Sequence, residues 1–225
     1  SSRWLSVEDY DLIKAAAEGK HSLVLGPGLG TEPATAELVL RLYTENPLPQ
    51  VVDADALNIL AAHPEVIRRP AGPRVFTPHP GEMARLLGST VAAVQTDRLA
   101  AAQWLNDLAG EGLPPLVTVL KGAGTVVASV QGRWAINTSG NPGMGTGGMG
   151  DVLSGVIGGL LAQGYPPWNA ACLGVYLHGH AADCIARTRP FGYTASEVAE
   201  MLPEVIGACR AQPHKETPCS QPRTS

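Results

Sequence analysis

The chain has 225 residues, a formal net charge of −4, 44% hydrophobic residues and 16% charged residues. That length and balance suit a globular chain with a sizeable core and exclude a disordered one. The mild acidity carries no polyelectrolyte signal for nucleic acid or an anionic membrane surface, and no apolar run approaches the roughly 20 residues of a membrane span.

The opening, SSRWLSVEDYDL, is polar and acidic and has no signal-peptide pattern. LSVEDYDLIKAAAEGK then predicts a helix capped by Ser6, with Glu8 and Asp9 in its first turn and Gly19 at its end. HSLVLGPGLGT reads as a short buried strand and a tight turn, leading into the helix PATAELVLRLY. QVVDADALNILAA and RVFTPHPGEMARLLG repeat the strand–turn–helix pattern, and TVAAVQTDRLAAAQWLNDLAG predicts one long amphipathic helix. PLVTVLKGAGTVVASVQGRWAINTSG predicts three strands, with turns at Gly122–Gly124 and Gln131–Gly132. Three helices follow, near 151–163, 168–187 and 194–209; the tail, 211–225, is polar and expected to be disordered.

Strands alternating with helices imply a three-layer α/β/α fold, with a mostly parallel sheet covered on both faces. No repeat or low-complexity linker interrupts it, so a single domain over 1–210 is expected. In such sheets ligands lie beyond the carboxyl ends of the strands. Gly26–Gly30, Asp53–Asp55, Thr77–Glu82, Lys121–Thr125 and Gly140–Asp151 all fall at strand ends and are expected to converge on one rim. Cys172, Cys184, Cys209 and Cys219 show neither zinc-site spacing nor a disulfide framework; Cys172, Cys184 and Cys209 are read as reduced thiols on or near helices, which suggests a cytoplasmic protein.

The densest chemical signal is GNPGMGTGGMGDVLSG, residues 140–155. Successive small residues at a helix start allow backbone N–H groups to converge on an anion. The amides of Gly147, Gly148, Met149 and Gly150 are candidates to hold a phosphate. Asp151 would then stand beside that phosphate, a costly place for a carboxylate unless it orients or deprotonates a hydroxyl attacking phosphorus. GxxxxGK[ST] is absent, and GPGLGT at 26–31 lacks the dinucleotide-binding spacing. There, Gly28 or Gly30 either connects strand to helix or permits close backbone approach to a ligand. In KGAGT, Lys121 could reach a nucleotide phosphate, or the turn from Gly122 through Ala123 and Gly124 to Thr125 could lie against a base or ribose; an ordinary hairpin has the same spacing.

TPHPGE sets His79 and Glu82 three residues apart, a spacing that could place both on one helical face. Two ligands of this kind make a poor metal site alone. A ligand contact for His79 and a water-mediated Mg²⁺ role for Glu82 are preferred, against a plain helix N-terminal charge for Glu82. Asp53 and Asp55 of DADALN are candidates for magnesium, for substrate hydroxyls or for helix capping, and neither is read as catalytic. His178 and His180, two apart in a helix, point to different faces and are read as packing or interface residues.

Taken together, LVLGPGLG, VVDADALNIL, TPHPGEMARLLG, VLKGAGTVV and GNPGMGTGGMGDVLSG resemble the ADP-dependent NAD(P)H-hydrate dehydratases of the ribokinase-like superfamily, in the family's order and over roughly residues 5–208. The resemblance implies that ADP phosphorylates the ring hydroxyl of hydrated NADH or NADPH, leaving AMP. Phosphate is then eliminated and the reduced cofactor restored. By the same resemblance Gly30 and His79 would contact the hydrated nucleotide, Lys121–Thr125 with Gly150 would hold the adenine nucleotide, and Asp151 would act at the substrate hydroxyl with Mg²⁺ shielding the phosphoryl group. It further implies a homotetramer and functional pairing with an NAD(P)H-hydrate epimerase. The family opens with a further strand–helix segment that these residues do not contain, so an incomplete domain is expected. A ribokinase-like kinase of a small alcohol such as a vitamin precursor, and a non-catalytic nucleotide-binding protein, are the alternative readings.

Overall fold

The computed structural model describes residues 4–109, 113–130 and 132–211. The elements run β1 (Leu23–Leu25), β2 (Gln50–Val52), β3 (Arg74–Phe76), β4 (Leu116–Leu120), β5 (Val126–Ser129) and β6 (Trp134–Ile136). The helices are α1 (Tyr10–Ala16), α2 (Pro33–Glu45), α3 (Ala54–Ala62), α4 (Pro80–Leu86), α5 (Val91–Thr96), α6 (Arg98–Ala109), α7 (Met149–Ala162), α8 (Pro167–Ala186) and α9 (Ala195–Ala211). The sheet keeps chain order, β1-β2-β3-β4-β5-β6. β1 to β4 pair in parallel, with Val51 opposite Val24 and Val75, and β4–β5–β6 pair antiparallel.

Strand side chains alternate between two cores, as a period of two requires. Val52, Phe76, Leu116, Leu120, Val126 and Ala128 pack with α2, α3, α4 and α6. Val51, Val75, Val117, Val119 and Val127 pack with Leu153 and Ile157 of α7 and Ala170, Ala171 and Val175 of α8. Parallel crossovers share one hand, so a sheet built in strict chain order puts every connecting helix on the same face. The opposite face would be bare, and α7 and α8, which follow the last strand, cover it; α9 packs outside them through Val198 and Val205 against Met149, Leu177 and Ala181. This is the expected three-layer architecture. Among the described residues no helix is long and apolar enough to cross a membrane.

The helical run starts behind Ser6 with Glu8 and Asp9 in its first turn, as expected, but it opens as a 3₁₀ turn, Val7–Asp9, closed by a bond from the Ser6 amide to the Asp9 carboxylate (2.8 Å), and α1 ends at Ala16, before Gly19. Two expectations need correction. The long helix over 90–110 is two helices broken at Asp97, whose backbone is extended (φ −144°, ψ 87°). Thr90 caps α5 through the Ala93 amide (3.2 Å), and Asp97 receives the Ala100 amide (2.8 Å) at the start of α6. Two capping residues within one amphipathic stretch override its continuous period. α9 runs to Ala211, and the rest of the expected tail, with Cys219, lies outside the described residues, as does Gln131 of the expected second turn.

Arg74 of β3 ties that strand to the end of α2 and the loop between α2 and β2. It is 1% exposed and has no carboxylate partner. Its guanidinium instead donates to the carbonyls of Leu48, Pro73, Tyr43 and Asn46 (2.6–3.0 Å), gathering the negative end of α2. Burial pulls its pKa down to about 10, still charged at neutral pH. Arg74→Leu strands these carbonyls in the interior and should cost about 3 kcal/mol or more, read as a lowered urea midpoint; an unchanged midpoint would show that water or backbone rearrangement replaces it.

Candidate active site

Direction along the strands decides where the loops meet. β1 to β4 are parallel, and the two reversals through β5 and β6 return the chain to the same sense. All five loops expected at one rim therefore lie there. Direct bonds join them. The Gly30 amide donates to Asp55 (2.8 Å), the Lys121 amide to the Pro78 carbonyl (2.8 Å), and the Lys121 ammonium to Asp53 (2.7 Å). Asp55 thus ties loop to loop, while Asp53 caps α3 through the Ala54 amide (2.9 Å).

Asp53 is the buried hub of this rim, at 1% exposure. Its carboxylate also accepts from Ser154 of α7 (2.7 Å), whose hydroxyl lies 3.4 Å from that of Thr77. Lys121 sits 3.8 Å from Glu82 as well, so one ammonium stands between two buried carboxylates. Ala54 is the only non-glycine among the described residues with a positive φ (48°). Such a backbone costs on the order of 1 kcal/mol, and the Asp53 network is what holds it. A side chain at Gly26 would meet the Asp53 carbonyl at 1.8 Å, which fixes glycine there. Asp53 was a sequence candidate for magnesium, substrate hydroxyls or helix capping, and it does cap α3; Ser154 was not selected, and the meeting of Ser154 and Lys121 on Asp53 was not visible in the pattern.

His79 and Glu82 are not a pair on one helical face. His79 precedes α4 as its cap: Nδ1 accepts the Gly81 amide (2.9 Å), and the Glu82 carboxylate accepts the His79 amide (2.7 Å). With Nδ1 an acceptor, the proton of neutral His79 is on Nε2, 3.4 Å from Glu82 Oε1. Among the described residues no group of three or more His, Cys, Asp or Glu is placed to hold a metal.

α7 begins where the glycine-rich segment ends. Gly148 is its cap in the left-handed region (φ 84°), and Asp151 lies in the first turn. Among the described residues, no acceptor is found for the amides of Gly147, Gly148, Met149 and Gly150. These unpaired donors lie at the positive end of a 14-residue helix, where the sequence expects a phosphate to be held. A Cβ on Gly150 would lie 3.4 Å from the Lys121 ammonium, so amides and cation adjoin.

Beside these amides opens a cleft of about 790 Å³. Lys121, Gly122, Ala123, Gly124, Thr125 and Gly150 line it, as expected; so do Ile136, segment 137–142, Met144 and His178. Gly30, His79, Glu82, Gly147, Gly148 and Asp151 lie outside that lining, Asp151 being exposed next to Gly150 at its mouth. His178 is buried, in line with the packing reading, at 6% exposure; its ring also lines the cleft, and its Nε2 has no partner among the described residues. His180 faces elsewhere, stacked on Tyr176 at 5.5 Å. Arg98, set at the α5–α6 break, donates to the Leu120 carbonyl (3.0 Å) and reaches those of Lys121 and Gly124, bracing the KGAGT turn from behind. A second, apolar groove of about 410 Å³ between α7, α8 and α9 brings no ionisable group together.

Fold and rim define a three-layer α/β protein whose sheet edge carries unpaired helix-start amides, a flanking carboxylate and a cleft of about 790 Å³. The chain belongs to the NAD(P)H-hydrate dehydratase family, whose pattern matches residues 3–204. A bifunctional NAD(P)H-hydrate repair enzyme of Moorella thermoacetica is 50% identical over 186 residues, 82% of this chain and 34% of that protein. An ADP-dependent (S)-NAD(P)H-hydrate dehydratase of Neisseria meningitidis is 46% identical over 181 residues, 78% of this chain and 60% of its own. The solved ADP/ATP-dependent NAD(P)H-hydrate dehydratase of Bacillus subtilis, co-crystallised with ATP and Mg²⁺, is 32% identical with a TM-score of 0.72, over 84% of this chain and 66% of that one. A ribokinase of Thermotoga maritima, 17% identical with a TM-score of 0.57 over 88% and 61% of the two chains, shares the fold alone. The chain spans from about a third to two thirds of the length of these relatives.

Burial pushes the His178 pKa down to about 4. Between that value and the ordinary value near 6.5, the unfolded chain takes up a proton that the folded chain refuses. Stability therefore falls as pH falls through this window, by on the order of 3 kcal/mol when complete. His178→Gln should flatten the dependence, seen as a smaller difference between urea midpoints at pH 7 and pH 4.5; equal differences in variant and parent would contradict the burial of a neutral imidazole.

Proposed function

We propose that this chain carries the ADP-dependent dehydration of hydrated NADH or NADPH. The observation that carries the reading is the set of unpaired glycine amides at the start of α7. They open beside the KGAGT cleft and place Asp151 one residue beyond Gly150. The dehydratase relatives support it.

In this reading the adenine nucleotide lies in the cleft along Lys121–Thr125, and its β-phosphoryl group rests on the amides of Gly147, Gly148, Met149 and Gly150. Fixed amides stabilise charge on the transferring group without reorganising. Asp151 accepts the proton of the ring hydroxyl as that oxygen bonds to phosphorus; the bond to the AMP phosphate breaks, and AMP leaves. The carbon–oxygen bond then breaks. Phosphate departs with the electron pair, a ring proton is lost and the reduced nicotinamide is restored. Lys121 lies between Asp53 and Glu82 and offsets one of their two negative charges on that wall of the rim. His79 offers its Nε2 proton to the hydrated nucleotide; the Gly30 amide is engaged by Asp55, so Gly30 would serve by close approach rather than as a donor. Mg²⁺ enters with the nucleotide, and Glu82 could reach it through water. The wider reading is a homotetramer in the cytoplasm, acting alongside an NAD(P)H-hydrate epimerase.

The test is to supply hydrated NADH, ADP and Mg²⁺ and follow the return of reduced-nicotinamide absorbance. Asp151→Asn should lower turnover by about 10³-fold while ADP affinity changes little. Full activity in that variant would remove Asp151 from the chemistry. A stable phosphorylated alcohol formed from ATP would replace the dehydratase reading with the kinase one, and ADP binding without turnover would leave a nucleotide-binding protein.

A further inference from the structure

One wall of the cleft, residues 137–145, has little regular structure of its own beyond the 3₁₀ turn Pro142–Met144. Polar bonds to α8 hold it instead. Asn137 donates to the Val175 carbonyl (3.3 Å), and the Ser139 hydroxyl donates to the Tyr176 backbone carbonyl (3.0 Å). The strongest tie is Asp183. One of its oxygens accepts the Gly140 amide (2.8 Å) and the other the Asn141 carboxamide nitrogen (2.9 Å). That choice turns the Asn141 oxygen the other way, where it accepts from the Tyr193 hydroxyl (2.6 Å) and the Gly143 amide (3.0 Å). Gly143 is pressed against the turn that follows α8: a Cβ there would meet the Pro190 carbonyl at 2.5 Å and the Tyr193 ring at 2.6 Å.

From this relay we infer that Asp183 is a positioning residue of the nucleotide cleft, acting through Gly140 and Asn141 rather than by touching the nucleotide. The inference rests on the reading that the cleft binds ADP. A carboxylate is required because both partners are donors and a carboxylate only accepts. An amide at 183 would face one of them with its own N–H groups. Asn141 would have to flip, releasing Tyr193 and the Gly143 amide together. The wall would then loosen at the residues that lead, within a few positions, into the amides at the start of α7.

The relay has a self-contained test. Asp183→Asn and Asn141→Asp each break the match of donors to acceptors. The double variant restores it: Asn at 183 accepts from Gly140 and donates to Asp at 141, which still accepts from Tyr193 and Gly143. Calorimetry with ADP and amide hydrogen exchange over 137–145 read the two halves of the inference. Each single variant should bind ADP about tenfold more weakly with faster exchange in that segment, and the double variant should return both to within about threefold of the parent. Tyr193→Phe, which removes one donor, should lie between, and it serves if a single variant does not fold. Single variants with parental ADP affinity overturn the inference. So does a double variant as weak as its parts combined, or a lowered melting temperature with affinity untouched. A parent protein that is protected over 137–145 yet binds no ADP ends the nucleotide reading of the cleft, and the positioning role with it.

Discussion

The rim depends on one buried carboxylate. Asp53 leaves β2, receives the first amide of α3, the ammonium of Lys121 beyond β4 and the hydroxyl of Ser154 in α7. A charge at this depth is tolerable only when its partners are complete. Each partner comes from a different part of the chain, so the carboxylate enforces their assembly. It also explains the left-handed Ala54 and the absence of a side chain at Gly26, which both serve to bring the Asp53 backbone close to the loop after β1.

Around this hub the two sides of the sheet have separate tasks. The crossover helices on one face leave the parallel strand ends open at a single rim. α7 and α8, on the other face, deliver the helix-start amides, Ser154 and His178 to that rim from outside the parallel core. The cleft wall over 137–145 belongs to neither layer, and its shape is set by side-chain bonds to α8. Loops with functional groups commonly ride on a rigid scaffold; in this chain the scaffold reaches into the loop through Asp183.

Periodicity and punctuation made much of this legible. Strand–turn–helix alternation placed the parallel strands and their loops, and the glycine run before Asp151 announced the start of α7. KGAGT was read as a turn with ligand potential, and the structure sets it along the cleft. What sequence did not show has a common cause: it is pairing over long separations. Asp53 with Lys121, Ser154 with Asp53 and Asp183 with Asn141 are each bonds between residues far apart in the chain. Local competition misled in two places. Asp97 caps a new helix inside an unbroken amphipathic pattern, and His79 spends its ring nitrogen on the start of α4 instead of sharing a helix face with Glu82. The two-residue spacing of His178 and His180 told correctly against a pair, but it could not show that the buried His178 also borders the cleft.

The hairpin of β5 and β6 has a consequence of parity. Between the end of β4 and the glycine-rich segment the chain reverses twice, first at the KGAGT turn and again before β6, and an even number of reversals is what keeps turn and segment on one rim. One added or deleted strand would deliver that segment to the far edge of the sheet, however well its residues were preserved. Drift in this part of the fold is therefore quantised: the sheet can widen or narrow beyond β4 by whole hairpins, and a lone strand is forbidden.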